Sequence, residues 1–242
     1  MRTDELQRGI ADLGPWFHDL DLEGVRTAPD HPLGTFLDDL WSSIASVFPA
    51  DMRGSTVLDI GCNAGFYSLK LAERGARVTG MDNDQRYLAQ ARFAASVLGV
   101  DLALHRLDVY DVDLLGRAFD HVLFMGVFYH LRHPLYALEK VARVVRERLV
   151  FQTMVRGCPD AVEARPDYPI EERLVFEKPG FPAMYFVEHR YAGDPTNWWI
   201  PNEAAAAAML RSAGFIIEDH PAPGLYVCRP ADHPLRRAGS PA

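Results

Sequence analysis

From residue 56 onward, short β-branched apolar runs alternate with segments of helical spacing, which is how a parallel sheet with crossover helices is written. Thr56 to Ile60 reads as the first strand, and Gly65 to Arg74 as a helix ended by Gly75. Ala76 to Met81 is the second strand, Asp84 to Leu98 a long helix stopped by Gly99, and Leu102 to Leu107 the third strand. Phe119 to Met125, Pro134 to Glu147 and Arg148 to Met154 give a fourth strand, a helix and a fifth strand. After a break the pattern returns. Asn202 is placed to cap a helix running through Ser212, and Phe215 to Asp219 with Leu225 to Arg229 make an antiparallel hairpin on the sheet edge.

The break covers residues 155 to 201, which carry prolines at 159, 166, 169, 179, 182, 195 and 201, many aromatics and no sustained period. Loops longer than about 15 residues inside a compact domain are usually lids or binding segments. An acceptor-facing insertion is therefore expected here, a lid between the fifth strand and the last helix. Residues 1 to 55, with Trp16, Phe17, Phe36 and Trp41 set among acids, read as a helical cap. The main α/β domain is expected over 56 to 230, and a flexible tail over 231 to 242.

Composition narrows the class. Of 242 residues 48% are hydrophobic, enough for a core, yet no window approaches the ~18 to 20 unbroken apolar residues of a membrane span. The start lacks an apolar secretory region, and the three cysteines, Cys62, Cys158 and Cys228, are too scattered for a disulfide framework or a zinc site. A cytoplasmic protein without a membrane partner is the expectation. The net charge of −8 is uneven, since residues 1 to 55 hold 10 acids against 4 arginines and the first of only three lysines is Lys70. That balance argues against nucleic acid as partner without excluding a local basic patch, and it leaves a homodimer open.

The sharpest local signal is Val57-Leu-Asp-Ile-Gly-Cys-Asn-Ala-Gly-Phe-Tyr-Ser68, a buried strand entering a glycine turn from which a helix opens at once. Such a turn is expected to leave backbone N–H groups of Gly61, Asn63, Ala64 and Gly65 facing a nucleotide-like ligand. A dinucleotide dehydrogenase would need glycines where this chain has Asn63 and Phe66, and the Asp59 carboxylate would repel a pyrophosphate. It suits instead a phosphate-free ligand with ammonium and sulfonium charges, as in S-adenosylmethionine. Asp82, followed by Asn83, ends the second strand and is placed to accept ribose hydroxyls. Asp108 ends the third strand, positioned to accept from an adenine amino group while the Val109 N–H addresses a ring nitrogen. No metal site is expected, because Asp108, Asp111 and Asp113 on one loop do not form the octahedral oxygen cage that magnesium requires.

Together V-L-D-I-G-C-N-A-G, G-M-D-N-D, L-D-V-Y-D and F-D-H-V-L-F-M-G-V resemble the class I S-adenosylmethionine-dependent methyltransferases over about residues 55 to 230. The resemblance implies a Rossmann-like, doubly wound seven-stranded sheet of order 3-2-1-4-5-7-6. Met125, ending the fourth strand, joins the cofactor-contacting set. The run Met125 to Pro134, Asn197-Trp-Trp-Ile-Pro201 and Pro221-Ala-Pro223 are similar to the bacterial tRNA wobble-uridine carboxymethyl transferase family and its shorter relatives. In that family the tyrosine matching Tyr129 touches the transferred group, and basic residues before the glycine motif and after the P-A-P segment hold a carboxylated cofactor. Here Gly224 and Leu225 follow Pro223 and no lysine precedes residue 70, so plain S-adenosylmethionine is expected.

Methyl transfer needs the acceptor within about 3 to 3.5 Å of the methyl and, for a hydroxyl, a base to take its proton. Tyr129 and His130, just beyond the fourth strand, are the catalytic candidates, His130 as base and Tyr129 as pocket wall. His189, Arg190, Trp198 and Trp199 in the insertion form an aromatic and basic set suited to an acceptor. The expected acceptor is a small molecule, methylated on a hydroxyl of a saccharide or secondary metabolite; the alternative is a tRNA wobble-uridine (carboxy)methyltransferase.

Overall fold

The computed structural model describes residues 2–231; most of the tail expected from 231 to 242 therefore lies outside the described residues. The chain divides into two compact units, Met1–Leu123 and Phe124–Ala242.

In the first unit, helix α1 (Thr3–Leu13) is followed by a two-residue-per-strand hairpin, β1 (Asp21–Leu22) and β2 (Val25–Arg26), and by helix α2 (Phe36–Ile44). The hairpin carries no apolar alternation and was not legible in advance. Its signal is the Glu23-Gly24 pair, both at positive φ (52° and 88°), as a tight primed turn demands. Strand β3 (Thr56–Ile60) is buried along its whole length, as expected of a parallel strand covered on both faces. Helix α3 (Phe66–Glu73), strand β4 (Arg77–Asp82), helix α4 (Gln85–Leu98) and strand β5 (Leu102–Arg106) complete two parallel crossovers. Asp84 caps α4 by accepting the Arg86 N–H, and Gly99 closes it in the left-handed region. The Gln90 side chain ties the N-terminal segment down, donating to the carbonyls of Leu13 and Pro15 at 2.8 and 3.0 Å. Strand β6 (Phe119–Met125) follows a 3-10 turn over Val109–Leu115.

The second unit holds helix α5 (Pro134–Ala142), strand β7 (Val145–Gln152), the short strands β8 (Met184–Phe186) and β9 (Trp199–Pro201), helix α6 (Glu203–Ser212), and strands β10 (Phe215–Ala222) and β11 (Leu225–Pro230). Helix α5 stops five residues before the expected Glu147. Val144 and Val145 are buried, and the strand begins among them, so no glycine is needed to end the helix. The insertion is not structureless: β8 pairs antiparallel with β9, and Ile170–Glu177 forms 3-10 turns.

Seven strands form one sheet in the order β10-β11-β7-β6-β3-β4-β5. Numbered one to seven in chain order, this is 3-2-1-4-5-7-6 read from the β5 edge. The β3, β4 and β5 ladders are parallel, whereas β11 runs antiparallel to both β7 and β10.

Candidate functional site

In the first unit the chain leaves β3 through a turn in which Gly61, Asn63 and Gly65 all take positive φ, at 71°, 49° and 86°. The turn hangs from the end of β4. Gly61 and Cys62 donate their N–H groups to the Met81 carbonyl at 2.8 and 3.0 Å, and Asn63 donates to the Asp82 carboxylate at 3.0 Å. Ala64 donates to the Asn63 side-chain oxygen at 2.7 Å, and Gly65 to the Cys62 carbonyl at 2.8 Å. The expectation of free amides on this turn is therefore corrected: each has an internal acceptor, because the left-handed residues fold the loop back on β4.

Asp82 is held at both oxygens, by Asn63 N–H and, at 2.9 Å, by Asp84 N–H. Burial pushes its carboxyl above the usual range while these two amides pull it down. Each carboxylate oxygen has a second lone pair, so Asp82 still has capacity for a hydroxyl donor. Asp59, 3% exposed, accepts the Ser68 hydroxyl at 2.6 Å. Burial raises its carboxyl to about 6; the Ser68 hydrogen bond opposes this and the Asp82 charge adds to it. Asp108 caps the 3-10 turn that follows β5, taking the Tyr110 N–H at 3.1 Å, and Val109 beside it is buried. Asn83 is exposed, with its carbonyl accepting the Arg106 guanidinium at 3.2 Å.

His18 was not found from sequence. Its buried ring accepts the Phe66 N–H, the first of α3, at 3.3 Å and lies edge-on to the Phe66 ring. Burial drives its pKa down to about 3, with the His31 charge second, so the imidazole is neutral and serves as acceptor. Ser68 could have been found: it lies three residues after Gly65, one helical turn in.

In the second unit Met125 ends β6, and Gly126 (φ 70°) donates to the carbonyl and side-chain oxygen of Gln152 at 3.2 and 2.9 Å. A Cβ at 126 would stand 3.6 Å from the Tyr129 hydroxyl. That hydroxyl is pushed up to about 12 by burial, with the Asp194 charge second, so it stays protonated. The Tyr129 carbonyl accepts the Trp198 N–H at 2.8 Å. His130 Nδ1 stands 2.9 Å from the Thr196 hydroxyl, 3.4 Å from the Thr196 carbonyl and 3.8 Å from an Asp194 carboxylate oxygen. Burial lowers the His130 pKa, opposed by the Asp194 charge and the Thr196 carbonyl.

The Arg132 guanidinium lies over the Trp198 ring at 3.9 Å, and Phe186 packs on Trp199 at 4.8 Å. Trp199 also donates its indole N–H to the Arg132 carbonyl at 3.3 Å. The structure thus draws Tyr129, His130, Trp198 and Trp199 together and leaves His189 and Arg190 in solvent, His189 with Glu188 at 3.8 Å. Asp194 and Thr196 were missed, although Asp-Pro-Thr is a turn signature in which the acid takes amides two residues on. Among the described residues no group of three metal-ligating side chains converges.

Residues 57–148, from β3 into β7, match the family model described as a methyltransferase domain. Over 173 residues the chain is 32% identical to the tRNA U34 carboxymethyltransferase of Marinobacter nauticus, covering 67% of this chain and 49% of that protein. The chain therefore spans about half the length of this curated relative. Among solved structures, the N-terminal domain of EvdMO1 with SAH bound superposes with a TM-score of 0.67 at 22% identity, covering 95% of this chain and 98% of that one. The [4+2]-cyclase SpnF follows with a TM-score of 0.55 at 21% identity, covering 89% of this chain and 70% of that one. At these identities the likeness is one of fold.

Proposed function

We propose that the protein transfers the methyl group of S-adenosylmethionine to a small-molecule acceptor, at a hydroxyl oxygen of a saccharide or secondary metabolite. The observation that carries this is Asp82, an acid at the end of β4 that both anchors the glycine turn and retains acceptor capacity. The donor set fits the cofactor: Asp59, Asp82 and Asp108 supply negative charge and acceptors, with no base on the turn, as a cationic phosphate-free nucleoside requires. When bound, the cofactor supplies an activated methyl group on a positively charged sulfur. In the first unit the chain's part is to hold the ribose at Asp82 and the base at Asp108 and Val109; in the second, Tyr129 and Met125 offer apolar surface and His130 takes the acceptor proton. Trp198 and Trp199 offer apolar ring faces to a sugar or a planar acceptor. EvdMO1, whose fold this chain shares, has also been crystallised in the presence of SAH and D-fucose, which supports a saccharide acceptor.

Calorimetry with S-adenosylmethionine tests the cofactor assignment: the wild type binds and Asp82→Ala loses at least tenfold in affinity. No binding, or unchanged binding in the variant, removes it. Incubation with a cell metabolite extract, read by mass spectrometry for S-adenosylhomocysteine and a product heavier by one methylene unit, identifies the acceptor.

The second reading, tRNA wobble-uridine modification, is favoured by the identity to the tRNA U34 carboxymethyltransferase. Against a carboxylated cofactor, the segment after Pro223 is lined by an acid. Gly224 donates its N–H to Glu203 at 2.8 Å, and the Tyr226 hydroxyl donates to the same carboxylate. The tRNA reading requires binding through arginines such as Arg132, Arg143 and Arg156 that weakens steeply between 50 and 200 mM salt. Salt-insensitive or undetectable tRNA binding rejects it. The proposed site of action is the cytoplasm, and a homodimer is compatible with it. No helix among the described residues is long and apolar enough to cross a membrane.

A further inference from the structure

We infer that Asp194, acting through the Thr196 hydroxyl, fixes His130 in the tautomer that carries its proton on Nδ1 and presents Nε2 as the base for the acceptor hydroxyl. The base role rests on the methyl-transfer reading above, but the tautomer does not.

A threonine hydroxyl has one proton to give. Here Thr196 stands 2.6 Å from Asp194 Oδ1, an ionised acceptor, and 2.9 Å from His130 Nδ1. Hydrogen bonds to a charged acceptor are the stronger, so the proton goes to Asp194. The hydroxyl oxygen then has only lone pairs to offer His130. The two other polar atoms near Nδ1, the Thr196 carbonyl at 3.4 Å and Asp194 Oδ2 at 3.8 Å, are acceptors as well. A lone pair on Nδ1 would face three others, whereas an N–H there meets three acceptors. The neutral ring therefore keeps its proton on Nδ1 and its lone pair on Nε2. Burial, which lowers the His130 pKa, favours that neutral ring.

The array is held locally. Asp194 Oδ1 also takes the Thr196 N–H at 2.7 Å, and the next residues are tied by Asn197 Nδ2 to the Tyr191 carbonyl at 3.0 Å and by Trp198 N–H to the Tyr129 carbonyl. Asp194 and Thr196 are thus positioning residues, serving His130 as a carboxylate serves a histidine that must act as base. In the step they support, the acceptor O–H bond breaks toward Nε2 as the oxygen bonds the methyl carbon. The electron pair of the broken carbon–sulfur bond stays on sulfur, which becomes a neutral thioether. The imidazolium formed faces Asp194, and its proton later passes to water.

Nitrogen-15 NMR of protein labelled at histidine, with His130 assigned by its loss in His130→Gln, tests the inference without an acceptor. The wild type shows a protonated Nδ1 and a bare Nε2. Thr196→Val and Asp194→Ala raise the Nε2–H fraction at least fivefold, and Thr196→Ser restores the wild-type spectrum. A wild-type ring protonated at Nε2, or a spectrum indifferent to both substitutions, overturns the tautomer assignment. In turnover with the metabolite extract, Thr196→Val lowers S-adenosylhomocysteine formation about tenfold, with cofactor Kd within twofold of wild type, and Thr196→Ser returns to within threefold. Unchanged turnover in Thr196→Val despite an altered spectrum overturns the base role. No turnover by the wild type overturns the methyl-transfer reading and the base role with it, while the spectrum still decides the tautomer.

Discussion

His18 Nδ1 accepts the backbone N–H of Phe66 across 48 residues of sequence, so the N-terminal segment supplies the acceptor that opens helix α3. This contact joins a part of the chain with no glycine motif to the most motif-rich part. It holds only while the ring is neutral, because a protonated imidazole has no lone pair to offer.

The pH dependence of that contact has a definite sign. His18 titrates near 3 in the fold against an ordinary 6.5, so the stability it contributes is complete above pH 6.5 and is lost as pH falls toward 3. Between pH 7 and pH 4 the wild type should lose about 3 kcal/mol relative to His18→Gln, read from urea unfolding at each pH. Parallel pH dependences for the two proteins would exclude the assignment.

Asp59 has the opposite sign. Its folded value of about 6 lies above the ordinary 3.8, so the protonated form is favoured and that stability is lost as pH rises through 6. From pH 4 to pH 7 the stability of wild type relative to Asp59→Asn should fall by about 2 kcal/mol. Ser68→Ala, which removes the hydrogen bond supporting the ionised form, moves the midpoint to higher pH. A midpoint unmoved by Ser68→Ala contradicts the contact.

Gly80 on β4 has no room for a side chain: a Cβ there would lie 2.9 Å from both Cys62 Sγ and Leu104 Cδ2. Gly80→Ala should destabilise by about 1 to 3 kcal/mol through overpacking and weaken cofactor binding, because Cys62 sits in the glycine turn. Adding Cys62→Ala should recover part of both losses, and a purely additive double mutant would show that the sulfur is not the obstacle.

Asn202 is buried and makes three bonds: its carbonyl oxygen takes the Ala205 and Ala183 N–H groups, and its amide donates to the Phe181 carbonyl at 2.8 Å. It starts α6 and ties down the middle of the insertion, at Phe181 and Ala183, at once. Asn202→Ala should cost about 2 to 4 kcal/mol, from the lost cap and the groups left unpaired, and should speed proteolysis within 155 to 201. Faster cleavage without a stability loss would mean that the anchor and the cap act separately.

The strands and helices around the glycine turn were legible because their determinants are local: buried β-branched runs, glycines at positive φ, and an acid capping α4. Asp82 was legible for the same reason, as the acid that ends a strand. His18 was not, since nothing around it in sequence announces that its acceptor atom is needed by Phe66. The partnership of His130 with Asp194 and Thr196 joins residues 66 apart through the proline-rich insertion, where no period guides the eye. Helix α5 ran short of expectation because burial of Val144 and Val145, a tertiary demand, overrode helical spacing.

The internally bonded turn has a consequence for selectivity among the nucleotides of a cell. From Gly61 to Phe66 each of the six successive backbone amides already has an acceptor within the first unit. Such a loop has no nest of donors for a phosphate, and the nearby side chains Asp59 and Asp82 offer only oxygens. ATP, NAD and their relatives, abundant and built around anionic groups, meet lone pairs and negative charge where they need protons. With the cofactor at this turn, as proposed, discrimination would work by rejection: the loop would select by what it has already bonded to itself.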